Sequence, residues 1–202
     1  MNNKKIRQIT GLGILTALLV VLGIISNYVT IESVNINLTL VPIVIGACIY
    51  GPFAGLFLGL VDGIITIVAP ATLAIFIPYN PELTILLCLV KTGAAGYLSG
   101  LFFKLLRKKN SIVAAIVASV SAPIINTSIF LIGAICFFLP LYEGNGQPAI
   151  IYLLVATLSI NFVIELFLSS FLSPTVHRVI KYATRNYDIG DVYEDEEVDS
   201  QE

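Results

Sequence analysis

The stretch Tyr50-Gly51-Pro52-Phe53-Ala54-Gly55-Leu56-Phe57-Leu58-Gly59-Leu60-Val61-Asp62-Gly63 decides the architecture. Gly51, Gly55, Gly59 and Gly63 recur every four residues, which on a helix makes one bare stripe. In a membrane such stripes are packing interfaces that let another helix approach closely. Pro52 suits the first turn of a new helix, where its missing N–H would have no partner anyway. Tyr50-Gly51-Pro52 therefore divides two apolar segments, and Asp62 stands alone as a charge inside the second of them.

The rest of the chain has the same character. Of 202 residues, 57% are hydrophobic and only 12% charged, and the mean hydropathy is +0.93. A soluble domain carries charge on roughly a quarter of its residues. A disordered chain is poor in the Leu, Ile and Val that dominate here. What remains is an all-α integral membrane protein, in which each crossing takes ~20 residues. Six hydrophobic segments are legible, roughly 6–28, 38–50, 52–69, 81–106, 111–139 and 148–180. Pro148 opens the sixth as Pro52 opens the third. Polar or turn-rich stretches separate them, none long enough for a second domain. The basic N-terminus leads into an apolar run with no A-x-A-like cleavage site behind it, so that run reads as a first span rather than a removable signal.

Charge distribution orients this bundle. Lys4, Lys5 and Arg7 precede the first span, Lys104, Arg107, Lys108 and Lys109 lie between the fourth and fifth, and Arg178, Lys181 and Arg185 follow the sixth. With six crossings all of these fall on one side, which the positive-inside rule makes cytoplasmic. The opposite loops carry Glu32, Glu82 and Glu143 and no Lys or Arg. Both termini are thus expected in the cytoplasm. Residues 1–185 form the transmembrane domain, and residues 186–202 form an acidic tail with eight acids and no base. The tail reads as a solvated extension, with docking as the alternative.

Three ionisable groups fall inside spans: Asp62, Lys91 and Glu165. Such groups cost several kcal/mol in the bilayer unless paired or hydrated. Either Lys91 pairs with Glu165 or Asp62 simply to hold helices together, or some of the three line a polar substrate site. Asn126 follows Pro123, which frees a backbone carbonyl one turn earlier and kinks the fifth span. Asn161 and Glu165 are spaced i, i+4 and share a helix face. Lys91, Asn126 and Asn161 fall near the middle or in the outer half of the bilayer, so a shared outward-facing pocket is geometrically reasonable. Interhelical amide hydrogen bonds explain the two Asn residues equally well. Gly13 and Ala17 form a small-xxx-small pair on the first span, and Gly96 and Gly100 form one on the fourth. Most such stripes pack within the chain; the Gly13/Ala17 pair is the candidate for contact with another protein.

Cys48, Cys88 and Cys136 lie in apolar runs, pair in no CxxC motif and read as small packing residues. The chain carries no G-x-x-x-x-G-K-[ST] loop, no H-E-x-x-H and no G-x-S-x-G, and its one histidine, His177, sits among cytoplasmic bases. No enzyme, metal site or cofactor is expected.

Val34-Asn-Ile-Asn-Leu-Thr-Leu-Val-Pro-Ile-Val-Ile-Gly46, the GP-x-x-G-x-x-x-G-x-x-x-D run ending at Asp62, and Asn126-Thr127 together resemble the S component of energy-coupling factor (ECF) vitamin transporters, over about residues 6–182. The resemblance implies a bacterial plasma-membrane protein that binds a vitamin or related micronutrient from outside. It places the pocket in the outer parts of the last three helices, with Lys91, Asn126, Asn161 and Glu165 as ligand contacts. The segment Asn27 to Asn37 would be a lid, which adds Asn37 to the site. A transmembrane coupling (T) protein and two cytoplasmic ATPases would supply energy, so that the S component topples in the membrane to deliver its ligand. The family's A-x-x-x-A contact motif maps to Gly13 and Ala17, the glycine being a departure that stays small. The expected partners are these subunits, a small-molecule vitamin and lipid, not nucleic acid. Lys91 with two amides suits pantothenate, and folate and other anionic precursors stay open. A self-sufficient secondary permease with Asp62 or Glu165 relaying protons is the alternative, weakened by the lack of an internal repeat. An assembly subunit without ligand would rest on the glycine stripes alone. Labelling of single cysteines placed in each terminus with a membrane-impermeant reagent is expected to find both on the same, cytoplasmic side; opposite sides would overturn the six-span topology.

Overall fold

The computed structural model describes residues 3–28 and 38–139, with seven further positions (162, 163, 165–167, 169 and 178) that are helical. Five helices follow in order: α1 (Asn3–Tyr28), α2 (Leu40–Tyr50), α3 (Pro52–Ile67), α4 (Pro81–Arg107) and α5 (Ser111–Phe137). Among the described residues there is no strand. Three stretches are long and apolar enough to cross a membrane: Ile6–Asn27, Pro81–Arg107 and Ser111–Phe137. The α2 and α3 helices, of 11 and 16 residues, are shorter. At 1.5 Å per residue they reach about 17 and 24 Å, less than the hydrocarbon thickness of about 30 Å.

The element boundaries follow from local chemistry. Gly51 turns α2 into α3 with φ 98°, a left-handed conformation open to glycine, and Pro52 takes the first turn of α3. Ala47 then faces Gly55 and Gly46 faces Leu58, so the two helices fold back as an antiparallel hairpin. Asn80 caps α4 by accepting from the Leu83 amide at 3.1 Å, with Pro81 behind it. Asn110 caps α5 by accepting from the amides of Ile112 and Val113. The stretch Pro70 to Pro81, read as a connection, contains a π-helical turn at Thr72–Phe76. The fifth span does not stop at Pro123, which is buried in mid-helix.

The glycine stripe packs inside the chain. A β-carbon on Gly55 would strike the Gly96 carbonyl oxygen, one on Gly96 would strike that of Gly55, and one on Gly59 would strike the Thr92 carbonyl oxygen. A β-carbon on Gly63 would lie 2.9 Å from Thr92 Oγ1, and one on Gly100 would lie 2.8 Å from Pro52 Cα. These pairings run antiparallel, so α3 and α4 touch backbone to backbone along about three turns. On the opposite side of α3, Phe53, Phe57, Leu60 and Ile64 are exposed at i, i+4, i+7 and i+11. The α5 helix is built the same way. Ala114, Ala115, Ala118 and Ala122 are wholly buried against Val44, Cys48 and Phe103, while Ile112, Ile116, Ile124 and Ile132 point out. Small residues inside and large apolar ones outside invert the pattern of a water-soluble protein and suit a lipid surround.

The first helix is the least enclosed. Gly11 packs on the Tyr50 hydroxyl, Gly23 on Ile65, and Leu19 fills a core with Leu40, Ile43 and Leu58. Its far face, with Gly13 and Ala17, is exposed, and among the described residues nothing lies within 4 Å of a β-carbon placed on Gly13. The domain boundary at residue 185 and the acidic tail lie outside the described residues. Gly96→Leu is expected to destabilise the protein in detergent by about 3 kcal/mol, since the new side chain meets backbone and must part α3 from α4. Gly13→Leu should leave the melting temperature unchanged, and a thermal shift assay compares the two.

Candidate functional site

A small, partly open cleft lies where the C-terminal end of α3, the π-helical turn, the first half of α4 and the last half of α5 converge. It lies at the end of the bundle away from Lys104, Arg107, Lys108 and Lys109, which terminate α4. The α4 wall is Thr84, Leu87, Cys88 and Lys91, spaced i, i+3, i+4 and i+7, so that one helical face supplies all four. Thr66 comes from α3, Thr72 and Phe76 from the π-helical turn, and Phe130 and Phe138 from α5 and its end.

Lys91 is the cation of this wall. Its Nζ lies over the Phe130 ring, 5.2 Å from the centroid, where the negative ring face attracts an ammonium. Behind Phe130 the aromatic rings continue. Phe76 stands edge-on to Phe130 at 6.0 Å and to Phe138 at 5.3 Å, and Tyr79 leans on Phe138 at 5.8 Å. The threonine hydroxyls are directed away from the cleft as donors. Thr66 Oγ1 donates to the Asp62 carbonyl at 2.9 Å, and Thr84 Oγ1 donates to the carbonyls of Asn80 at 2.7 Å and Phe76 at 3.1 Å. A hydroxyl has one proton and two lone pairs, so Thr66 and Thr84 face a ligand as acceptors. The cleft therefore offers one cationic donor, neutral acceptors and aromatic faces. That combination suits an anionic group joined to hydroxyl or amide donors.

The predicted site residues separate into three groups. Lys91 lines the cleft. Asn126 is buried on α5 one turn before Phe130 and on the same face, with Oδ1 lacking a hydrogen-bond partner among the described residues. Glu165 is half-buried on a helical stretch. Asn37 and Asn161 lie outside the described residues. The Gly13 and Ala17 pair is on the open face of α1, distant in sequence and element from the cleft.

Asp62, weighed as an ion-pair partner, sits just behind the wall. It is 2% exposed, and its Oδ2 has no hydrogen-bond partner among the described residues. The aromatic wall and the three threonines escaped sequence reasoning, because Phe76, Phe130 and Phe138 are remote in sequence and look like any other apolar residue in a span. The one signal available was the i, i+4, i+7 relation of Thr84, Cys88 and Lys91. Cys88, read only as packing, is buried and also forms part of the wall.

No curated protein and no solved structure shows significant similarity to the chain. The ECF transporter substrate-specific component family matches residues 7–177, and with that match over most of its length this helical membrane protein belongs to the family.

Proposed function

We propose that the chain binds pantothenate at the outer face of a bacterial plasma membrane and hands it to an ECF coupling module. Substrate-specific components are the membrane-embedded binding subunits of micronutrient transporters, not enzymes, and they work with a T protein and ATPases. The observation that carries the choice of ligand is Lys91, the one cation on a cleft wall that also carries threonine hydroxyls, aromatic rings, Leu87 and Cys88. Pantothenate has one carboxylate for the ammonium, hydroxyls and an amide to donate to Thr66 and Thr84, and a branched apolar body for the rings. Asn126 adds an unpartnered buried amide oxygen from α5, and Asn161, Glu165 and Asn37 complete the proposed contact set.

Orientation supports uptake from outside. The cleft is at the end of the bundle remote from the basic cluster of α4, and basic residues mark the cytoplasmic side. Six spans with both termini inside satisfy this charge pattern. Two cytoplasmic ATPases, acting through the T protein, would energise release. The open Gly13/Ala17 notch on α1 is the face offered to the T protein, because a small-xxx-small pair on which no described residue packs at Gly13 lets a second helix approach closely.

Two variants test this reading. Lys91→Met should weaken binding of radiolabelled pantothenate to the purified protein about 10- to 100-fold, the value of a charged hydrogen bond of about 1.5–3 kcal/mol, without lowering the melting temperature. Undiminished affinity would remove Lys91 from the site, and no binding by the unaltered protein would remove pantothenate. Gly13→Leu should abolish uptake into vesicles containing the full transporter while leaving ligand affinity intact. Uptake by vesicles without any ATPase would favour a self-sufficient permease instead.

A further inference from the structure

The joint between the π-helical turn and α4 is tied by one hydrogen bond that a helix start does not require. The Asn80 amide donates to the Phe76 carbonyl at 3.1 Å, and the Thr84 amide donates to the Asn80 carbonyl at 3.1 Å. Asn80 Oδ1 caps α4 by accepting from the Leu83 amide. Thr84, 2% exposed, adds its hydroxyl, which donates to the Asn80 carbonyl at 2.7 Å and to the Phe76 carbonyl at 3.1 Å. The first of these two bonds is ordinary. Thr10, Thr16, Thr66 and Thr92 each donate to the carbonyl four residues back, as hydroxyls within helices do. The bond to Phe76 is different, because it reaches eight residues back and leaves α4 for the turn that precedes it.

Phe76 is thereby held at both ends. Its carbonyl is fixed to the start of α4 by Asn80 and Thr84. Its ring stands edge-on to Phe130 of α5 at 6.0 Å and to Phe138, at the end of α5, at 5.3 Å. The residue thus bridges the start of α4 and the end of α5 across one side of the cleft. Phe130, one of the two rings it leans on, is the ring that Lys91 lies over. π-Helical turns are rare and recur at functional sites, and this one delivers both Thr72 and Phe76 to the wall.

We propose that Thr84 is a positioning residue for ligand binding: by holding the Phe76 carbonyl, its hydroxyl fixes the Phe76 ring against Phe130 and Phe138 and so sets the shape of the cleft in front of Lys91. A wall ordered before the ligand arrives lowers the ordering cost of binding. The hydroxyl is also a bond the joint can lose without coming apart, because the Phe76 carbonyl keeps the Asn80 amide and α4 keeps its cap. This assignment rests on the cleft being the ligand site named above. To the acceptor role of Thr84 there it adds one that is exercised in the empty protein.

The test reads Phe76 directly. The full-length protein in detergent carries a single 4-fluorophenylalanine at position 76, and its ¹⁹F signal is recorded without ligand. In the unaltered protein that signal is expected to be displaced from that of the free amino acid by the two neighbouring rings. Thr84→Val, which keeps the shape and removes the donor, should move it toward the free value, and Thr84→Ser, which keeps the donor, should leave it in place. Pantothenate affinity should fall about threefold to tenfold in Thr84→Val, as on loss of one hydrogen bond, and hold in Thr84→Ser. Thr84→Ala serves where Thr84→Val does not fold. An unmoved signal in the folded variant overturns the inference whatever happens to affinity, because Thr84 then serves the ligand alone. A moved signal with undiminished affinity overturns it too, since the position of the ring then makes no difference to binding. A moved signal in a protein that never bound pantothenate keeps the hold of Thr84 on Phe76 and overturns the ligand.

Discussion

The approach of α3 to α4 at Gly55 and Gly96 leaves no room for a β-carbon on either helix, since each would strike the other's carbonyl oxygen. Lipid tails are as apolar as leucine, so helices in a bilayer are not driven together by water and depend on close van der Waals packing. Backbone contact over about three turns supplies that packing with the least side-chain ordering. It also fixes the register. Once Gly59 rests on the Thr92 carbonyl, Asp62 of α3 has no choice but to lie beside the turn of α4 that carries Lys91.

The same close packing governs where bulk goes. With glycine and alanine filling the interfaces, the large side chains of α3 and α5 are left on the outside, as at Phe53, Phe57 and Ile64. In water this surface would be an aggregation hazard, whereas in hydrocarbon it has the polarity of its solvent. Interior volume between such helices is then scarce, and one cleft lies at the end of the described helices away from the basic end of α4. There α3 ends at Ile67, the π-helical turn intervenes, and the rings of Phe76, Phe130 and Phe138 hold the elements apart. The cleft is the place where the seam runs out.

Much of this was legible in the residues themselves. The four-residue glycine period foretold a close helix contact, Pro52 foretold the helix start, and the basic clusters marked the end of α4 that the cleft avoids. Lys91 stood out because a charge in a span is costly wherever it sits. The partner of the glycine stripe was harder to read, since Gly96-Tyr-Leu-Ser-Gly100 is one of several small-residue pairs and nothing local says which two meet. The aromatic wall was harder still. A phenylalanine in a transmembrane segment carries no mark of facing lipid or cleft, and Phe130 stands out only because Lys91, on another helix, lies over its ring.

An ammonium inside an apolar bundle needs compensation, and each source near Lys91 is incomplete. The Phe130 face supplies quadrupole attraction, worth about 0.5–2 kcal/mol depending on how far the pair is desolvated. The carboxylate of Asp62, buried on α3, leaves its Oδ2 without a hydrogen bond among the described residues. A ring face attracts the ammonium but does not supply the acceptors that its three N–H donors can use. A ligand carboxylate entering the cleft brings acceptors where they are lacking, into surroundings where water competes poorly for the bond. A neutral ligand of the same shape would leave the ammonium as it was and add the cost of excluding its remaining water. On the proposed role of Lys91, acid and amide forms of a ligand would be told apart by how incompletely the protein satisfies this lysine.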